Sequence, residues 1–299
     1  MAITTASAAD ILAPGLWKIW GTTYKRYPKQ YTRFFDMRTS KRAYEESLGF
    51  GNFGLFQIKP EGKSVSYADL AQLYKNRATH ITYALGYQIT SEMIEDDLYN
   101  VINKFPEALA SSQAITEEIV AMSILNNGFS SGTVYADGVA LFSASHPIKG
   151  GVFSNKLAVP MDLDITSLEL AYIDIANMVD DAGNIIHAQK KQLIIGPPNE
   201  FQAIRLFKSV DDPSTANRST NPVHGSLEYT VSNFLTEPDN WFIQTDVPDG
   251  LICYNRLLPV HTRDVDTDTD SAKFKSKYRQ SFTVDNPRAI YGSAGSNNQ

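Results

Sequence analysis

Residues 81–102 read ITYALGYQITSEMIEDDLYNVI, and the hydrophobic period changes halfway along them. From residue 80 to 90 apolar and polar positions alternate, which puts Ile81, Tyr83, Leu85, Tyr87 and Ile89 on one face of a strand. Thr90 and Ser91 can then cap a helix, with Glu92, Glu95, Asp96 and Asp97 near the positive end of its dipole. The stretch therefore predicts a strand running straight into a helix that continues to about Lys104.

Downstream, Pro106 suits the opening of a second helix over 106–127, about 33 Å long if unbroken. Ile115, Ile119 and Met122 follow i, i+4, i+7 and predict its buried stripe, with Gly128 as the stop. A capping box at Thr166-Ser167-Leu168-Glu169 predicts a third helix, placing Leu168, Tyr172, Ile175 and Val179 on one side and ending at Gly183. Residues 192–196 (QLIIG) read as a short buried strand, followed after Pro197-Pro198 by a helix over 200–208, as in the start of a separate α/β subdomain. A turn-rich loop at 211–225 precedes strands predicted at 241–246, 251–254 and 272–284. The last is two-faced, with Phe274, Tyr278, Phe282 and Val284 opposite Lys273, Lys275, Lys277 and Arg279. The closing GSAGSNNQ is expected to be weakly held.

Upstream, residues 46–69 (ESLGFGNFGLFQIKPEGKSVSYAD) carry four glycines and a proline with no helical period, and predict an extended segment. They also carry Leu48, Phe50, Phe53, Leu55, Phe56 and Ile58, which water penalises unless a partner covers them. Before them, residues 1–44 hold eight basic and two acidic residues among Trp17, Trp20, Tyr24, Tyr27, Tyr31, Phe34 and Phe35. The chain's −6 less this +6 leaves −12 on the remainder. Opposite charges in two parts of one chain favour contact between arm and body, within one subunit or between copies. Both placements stay open.

The whole chain has 299 residues, enough for two domains or one with large excursions. At 42% hydrophobic and 20% charged it is a folding composition, and its net −6 argues against nucleic-acid affinity as the main activity. A single cysteine, Cys253, excludes an intrachain disulfide and any zinc site needing two cysteines. No apolar run approaches a membrane span, and MAITTASAADILAPG lacks the basic and apolar regions of a secretory signal, so no export and no membrane are expected.

Reactive constellations are sparse. Gly128-Phe129-Ser130-Ser131-Gly132 matches a nucleophile elbow, but a predicted helix precedes it where a strand is required. The acidic run from Asp264 to Asp270 resembles a calcium loop, yet neither register supplies the sixth-position glycine or the twelfth-position glutamate. The five histidines (His80, His146, His187, His224, His261) are scattered, and Cys253 with His261 would form a nucleophile pair only if folding joined them. No phosphate-binding glycine loop is present. No catalytic residue, metal or cofactor is read from the sequence.

Taken in order, ITYALGYQITSEMIEDDLYNVI, MSILNNGF (122–129), LFSASHP (141–147), LIIGPPNEFQAIRLFKS (193–209), TANRSTNP (215–222), KFKSKYRQSF (273–282) and DNPRAIYGS (285–293) resemble the major capsid proteins of tailed bacteriophages, with the Mu-like major head subunits as one candidate group. The resemblance covers about 80–299 and rests on order rather than on a catalytic signature. It implies an α+β Hong Kong 97-type capsid fold: an N-terminal arm (1–45), an extended loop or E-loop (46–82), a discontinuous peripheral (P) domain (83–191 and 246–299) with a long spine helix, and an axial (A) domain (192–245). It implies self-assembly into pentamers and hexamers of an icosahedral virion head around double-stranded DNA, put together in the host cytoplasm. A portal protein is an implied partner, alongside a separate scaffold, a head protease and decoration proteins. The expected contacts between subunits are Trp17, Trp20, Tyr24, Phe34, Phe35, Phe50, Phe53, Phe56 and Ile58. About 45 residues precede the E-loop, too few for the long scaffolding extension of some relatives. Two alternatives stand beside this: an encapsulin-type nanocompartment shell enclosing a cargo enzyme, and a serine hydrolase using Ser130.

Overall fold

The computed structural model describes residues 5–67, 69–70, 72–96, 101–149, 151–212, 219–266 and 271–296; side chains of residues 5–13, Phe50, Ser91 and Glu95 are outside the description. In chain order the elements are α1 (Thr5–Arg26), β1 (Asp36–Thr39), β2 (Tyr44–Phe50), β3 (Gln72–Thr79), β4 (Ile81–Thr90), α2 (Ser91–Glu95), α3 (Lys104–Asn126), β5 (His146–Ile148), β6 (Gly151–Phe153), α4 (Ile165–Ala176), β7 (Lys190–Ile195), α5 (Glu200–Lys208), β8 (Glu228–Val231), β9 (Trp241–Thr245), β10 (Leu251–Asp266), β11 (Ser271–Val284) and β12 (Ile290–Ser293).

Two four-stranded sheets organise the chain, one ordered β1-β10-β11-β4 and the other β12-β9-β7-β8. In the first, β11 pairs antiparallel with β10 and with β4, from Ser271↔Thr90 to Gln280↔Ile81. The alternation read in the sequence sets its two faces. Phe274, Ser276 and Tyr278 are buried on the side of α3, while Lys273, Lys275 and Lys277 are exposed on the other. β10 runs much further than the expected 251–254, because the register shifts between Asn255 and Val260 absorb Pro259 without ending the strand.

The second sheet is covered by α4 and α5, whose Leu168, Ala171, Ile175, Ala203 and Leu206 pack on Leu193, Ile195, Trp241 and Ile243. α5 occupies the predicted 200–208. β12 joins this second sheet through β9, and Gly292 and Ser293 are buried in a strand rather than weakly held.

Three helices depart from expectation. The helix after β4 lasts five residues, with Thr90 Oγ1 accepting from Met93 N as its cap. In α3 the stripe is displaced: Ile115 and Ile119 are 42% and 53% exposed, and the buried face runs through Leu109, Gln113, Glu117, Ala121 and Leu125. Polar side chains occupy that face because they find partners there: Ser276 Oγ donates to Gln113, and the N-terminal segment meets Glu117. α4 is capped by Asp164, two residues before the expected box, with Ser167 completing the reciprocal pair; it ends at Ala176, and Gly183 (φ 83°) instead forms the turn beyond.

Candidate assembly surfaces

β2 and β3 pair antiparallel from Tyr44↔Thr79 to Phe50↔Gln72 and form the base of a long hairpin. Salt bridges from Lys75 and Arg77 to Glu46 brace it, and the Arg77 guanidinium stacks 3.6 Å from the Tyr44 ring. Asn76 Nδ2 donates to Thr283 Oγ1 (2.7 Å), to the Val284 carbonyl (2.9 Å) and to Asp285 Oδ1 (2.7 Å), fastening the hairpin to the long sheet. Beyond that base the chain is extended, and apolar side chains stand in water: Phe56 is 107% exposed, Ile58 96%, Leu55 79% and Phe53 60%. Four large apolar side chains exposed by 60% or more within six residues are what a surface awaiting a partner looks like. Phe50 falls outside the described side chains.

The N-terminal segment behaves differently. Leu16 is buried with Ile89 and Phe274, and Trp20 stacks between Tyr24 (5.3 Å) and His261 (5.5 Å). Tyr24 Oη donates to Glu117 Oε1 at 2.7 Å, and Lys29 Nζ sits 2.8 Å from Glu117 Oε2. The backbone N–H groups of Gln30 and Tyr31 donate to Glu118. Both glutamates are buried, and burial pushes the Glu118 carboxyl above its ordinary range against those hydrogen bonds. Phe34 and Phe35 lie at 3% and 4% exposure in one core with Met122, Leu125 and Cys253. Their expected place between subunits is thereby corrected: they are enclosed by their own chain. Trp20 and Tyr24 also make their contacts within the chain, while Trp17 stays 44% exposed. Sequence reading missed Glu117 and Glu118; the adjacent acidic pair in a mostly apolar helix was the available signal.

The motifs suggesting chemistry resolve into structure. Ser130 is exposed on a turn entered from α3, and its Oγ accepts only from Gly132 N at 3.3 Å among the described contacts. Cys253 and His261 share β10 eight residues apart, about 26 Å along a strand. The Cys253 thiol is fully buried and pushed up to about 12 by burial. His146 is buried with Nδ1 2.5 Å from Asp137 Oδ2 and Nε2 facing the Leu141 carbonyl and Asn155 Oδ1. Residues 267–270 of the acidic run, and 215–218 of TANRSTNP, lie outside the described residues. Among the described residues no three His, Cys, Asp or Glu side chains gather as metal ligands, and no helix is long and apolar enough to cross a membrane.

A long helix on a mixed four-stranded sheet, a second sheet with its own helical cover and an apolar hairpin fastened to the end of the long sheet define a shell-forming subunit of the Hong Kong 97 type. Solved structures share the fold. The capsid of bacteriophage JBD30 decorated with minor capsid protein trimers aligns at 14% identity over 70% of this chain and 92% of that one, with a TM-score of 0.57. The capsid of a native GTA particle aligns at 12% identity over 88% of each chain (TM-score 0.56), and the virus-like particle from Pyrococcus furiosus at 14% over 93% and 97% (TM-score 0.50). No curated protein matches in sequence. The sequence model of the phage capsid protein family matches residues 75–293, and the chain belongs to that family. It is a major capsid protein, a structural subunit of an icosahedral head shell.

Proposed function

We propose that copies of this chain close as pentamers and hexamers around double-stranded DNA, each hairpin lying on an adjacent copy. The exposure of Phe53, Leu55, Phe56 and Ile58 carries this reading, because one chain alone leaves them in water. Burying a side chain of this kind contributes about 1.5–3 kcal/mol. Repetition around a closed shell turns modest contacts into a stable container. On this reading residues 1–45 are the arm, 46–82 the E-loop, 83–191 with 246–299 the P domain, and 192–245 the A domain. Portal, scaffold, head protease and decoration proteins are the partners such a head takes, and the shell is assembled in the host cytoplasm.

The test is the double substitution Phe53→Ser/Phe56→Ser in the full chain, imaged by negative-stain electron microscopy. The expected result is a folded subunit with few particles, and wild-type particle yield would overturn the reading. Particle contents separate the neighbouring possibility: double-stranded DNA supports the head, whereas a single packaged enzyme would make it a nanocompartment shell. The family match favours the head.

A further inference from the structure

The face of the long sheet turned away from α3 carries a row of cations that the described residues neutralise at one end only. Lys273, Lys275, Lys277 and Arg279 are alternate residues of β11 and span about 20 Å at roughly 6.8 Å intervals. Such neighbours lie within one screening length of each other and repel. On the β4 side, the residues paired with them are Gln88, Gly86, Ala84 and Thr82, none of them acidic. On the β10 side, only the Lys273 end meets carboxylates: Lys273 Nζ sits 2.5 Å from Asp266 Oδ2, and Asp264 is its cross-strand partner. Lys275 and Lys277 face Thr262 and Val260, and neither has an ion pair among the described residues. Arg279 Nε donates to the His80 carbonyl, which leaves its charge uncompensated.

The row stands on an open shelf. A Cβ on Gly86 would lie 2.6 Å from the Phe274 carbonyl and 3.1 Å from Lys275 Cβ, so glycine there lets β4 close up without raising a side chain over the cations. Beside the row Val260 is 36% exposed, and Leu258 stands 67% exposed two residues earlier in β10. Uncompensated cations next to exposed aliphatic groups suit the polar rim of a protein–protein contact.

We propose that this face seats an acidic surface of a second copy of the chain, as a contact separate from the apolar hairpin; the inference rests on the shell reading. Charge supplies the argument for the occupant. Outside residues 1–44 every copy carries −12, so each neighbour in a shell brings carboxylates at high local concentration. Duplex DNA is the competing polyanion, but three uncompensated cations give a salt slope of only about 2.7, the weak end of non-specific binding.

The experiment compares the full-length wild type with Lys275→Glu/Lys277→Glu and Lys275→Gln/Lys277→Gln. Particle yield is read by light scattering and electron microscopy at 0.1 M and 0.5 M salt, alongside anisotropy of a labelled DNA duplex. The expected result is at least a tenfold loss of particles for the Glu pair at low salt, a smaller loss for the Gln pair, and unchanged thermal melting. Wild-type yield also falls at 0.5 M salt as the contact is screened. If the Glu pair does not fold, the Gln pair carries the comparison. Wild-type yield from the folded variants overturns the inference and leaves the shell reading standing. Duplex binding that disappears in the variants while particles still form assigns the face to DNA and also overturns it. A wild-type chain that forms neither particles nor capsomers even when produced together with its scaffold defeats the shell reading and this inference together.

Discussion

Tyr24 Oη and the Glu117 carboxylate, 93 residues apart in sequence, are hydrogen bonded at 2.7 Å to Oε1 and 2.9 Å to Oε2. Gln113 Nε2 donates to the same carboxylate at 3.0 Å, and Lys29 completes its charge balance. One buried side chain of the long helix therefore holds the N-terminal segment on the body.

Tyr24→Phe keeps the ring that stacks on Trp20 and removes only the hydroxyl. A hydrogen bond to a charged acceptor contributes about 1.5–3 kcal/mol, so the variant should lose about that much in denaturant unfolding. Tyr27→Phe, at an exposed ring, should change stability by less than about 0.5 kcal/mol. Equal effects at the two positions would remove the Glu117 anchor from the account.

Within the serine-elbow motif, Gly128 and Ser130 should behave oppositely. A Cβ on Gly128 would lie 2.6 Å from the Phe142 ring and 3.1 Å from the Ile124 carbonyl, in the stacked aromatic set of Phe129, Phe142 and Phe242. Gly128→Ala should cost about 1–3 kcal/mol through overpacking. Ser130→Ala, on an exposed turn, should stay within about 0.5 kcal/mol and leave particle yield unchanged. Thermal melting of both variants checks the contrast.

What could be read from the sequence divides along the same line. β11 was legible because Lys and aromatic residues alternate at the period that a two-faced strand imposes, and α5 because Pro197-Pro198 mark its start. The apolar hairpin was legible because Phe53, Phe56 and Ile58 had nowhere local to go. The buried face of α3 was not: Glu117 and Glu118 look like solvent positions until Tyr24, Lys29 and the Gln30 N–H are brought against them. The same distance effect turned Phe34 and Phe35 from expected interface residues into core. The length of β10 was not legible either: register shifts between Asn255 and Val260 carry the strand past Pro259, well beyond the expected 251–254.

His261 gives the fold a pH dependence of definite sign. Burial lowers its imidazole below the ordinary range, and neither ring nitrogen has a partner between Trp20 and Phe274. The folded chain therefore binds this proton less readily than the unfolded chain. The stability concerned is fully present above about pH 6.5 and is lost as pH falls through that value toward the lowered folded pKa. His80, lowered chiefly by burial, acts in the same direction. Melting temperature should fall from pH 7 to pH 5, and His261→Phe, which keeps an aromatic ring in the slot, should flatten part of that slope. An identical slope in the variant would show that the site does not titrate with folding.

Asn155 ties the segment 141–146 to the Pro287 backbone. Fully buried, it donates to the Leu141 carbonyl at 2.7 Å and the Pro287 carbonyl at 3.1 Å, and its Oδ1 accepts from Ser143 N at 2.9 Å. That oxygen also faces His146 Nε2 at 3.1 Å, while Asp137 holds the far side of the ring. Asn155→Ala would strand several buried donors and acceptors at once, each costing about 1–3 kcal/mol when unsatisfied. Asn155→Asp keeps the acceptor but places a carboxylate against two carbonyls, so it should rescue little. Expected losses are therefore large and similar for both, read as a drop in soluble yield and melting temperature. Near-wild-type melting of the Asp variant would mean that the two carbonyl contacts contribute little and that the His146 side alone holds the turn.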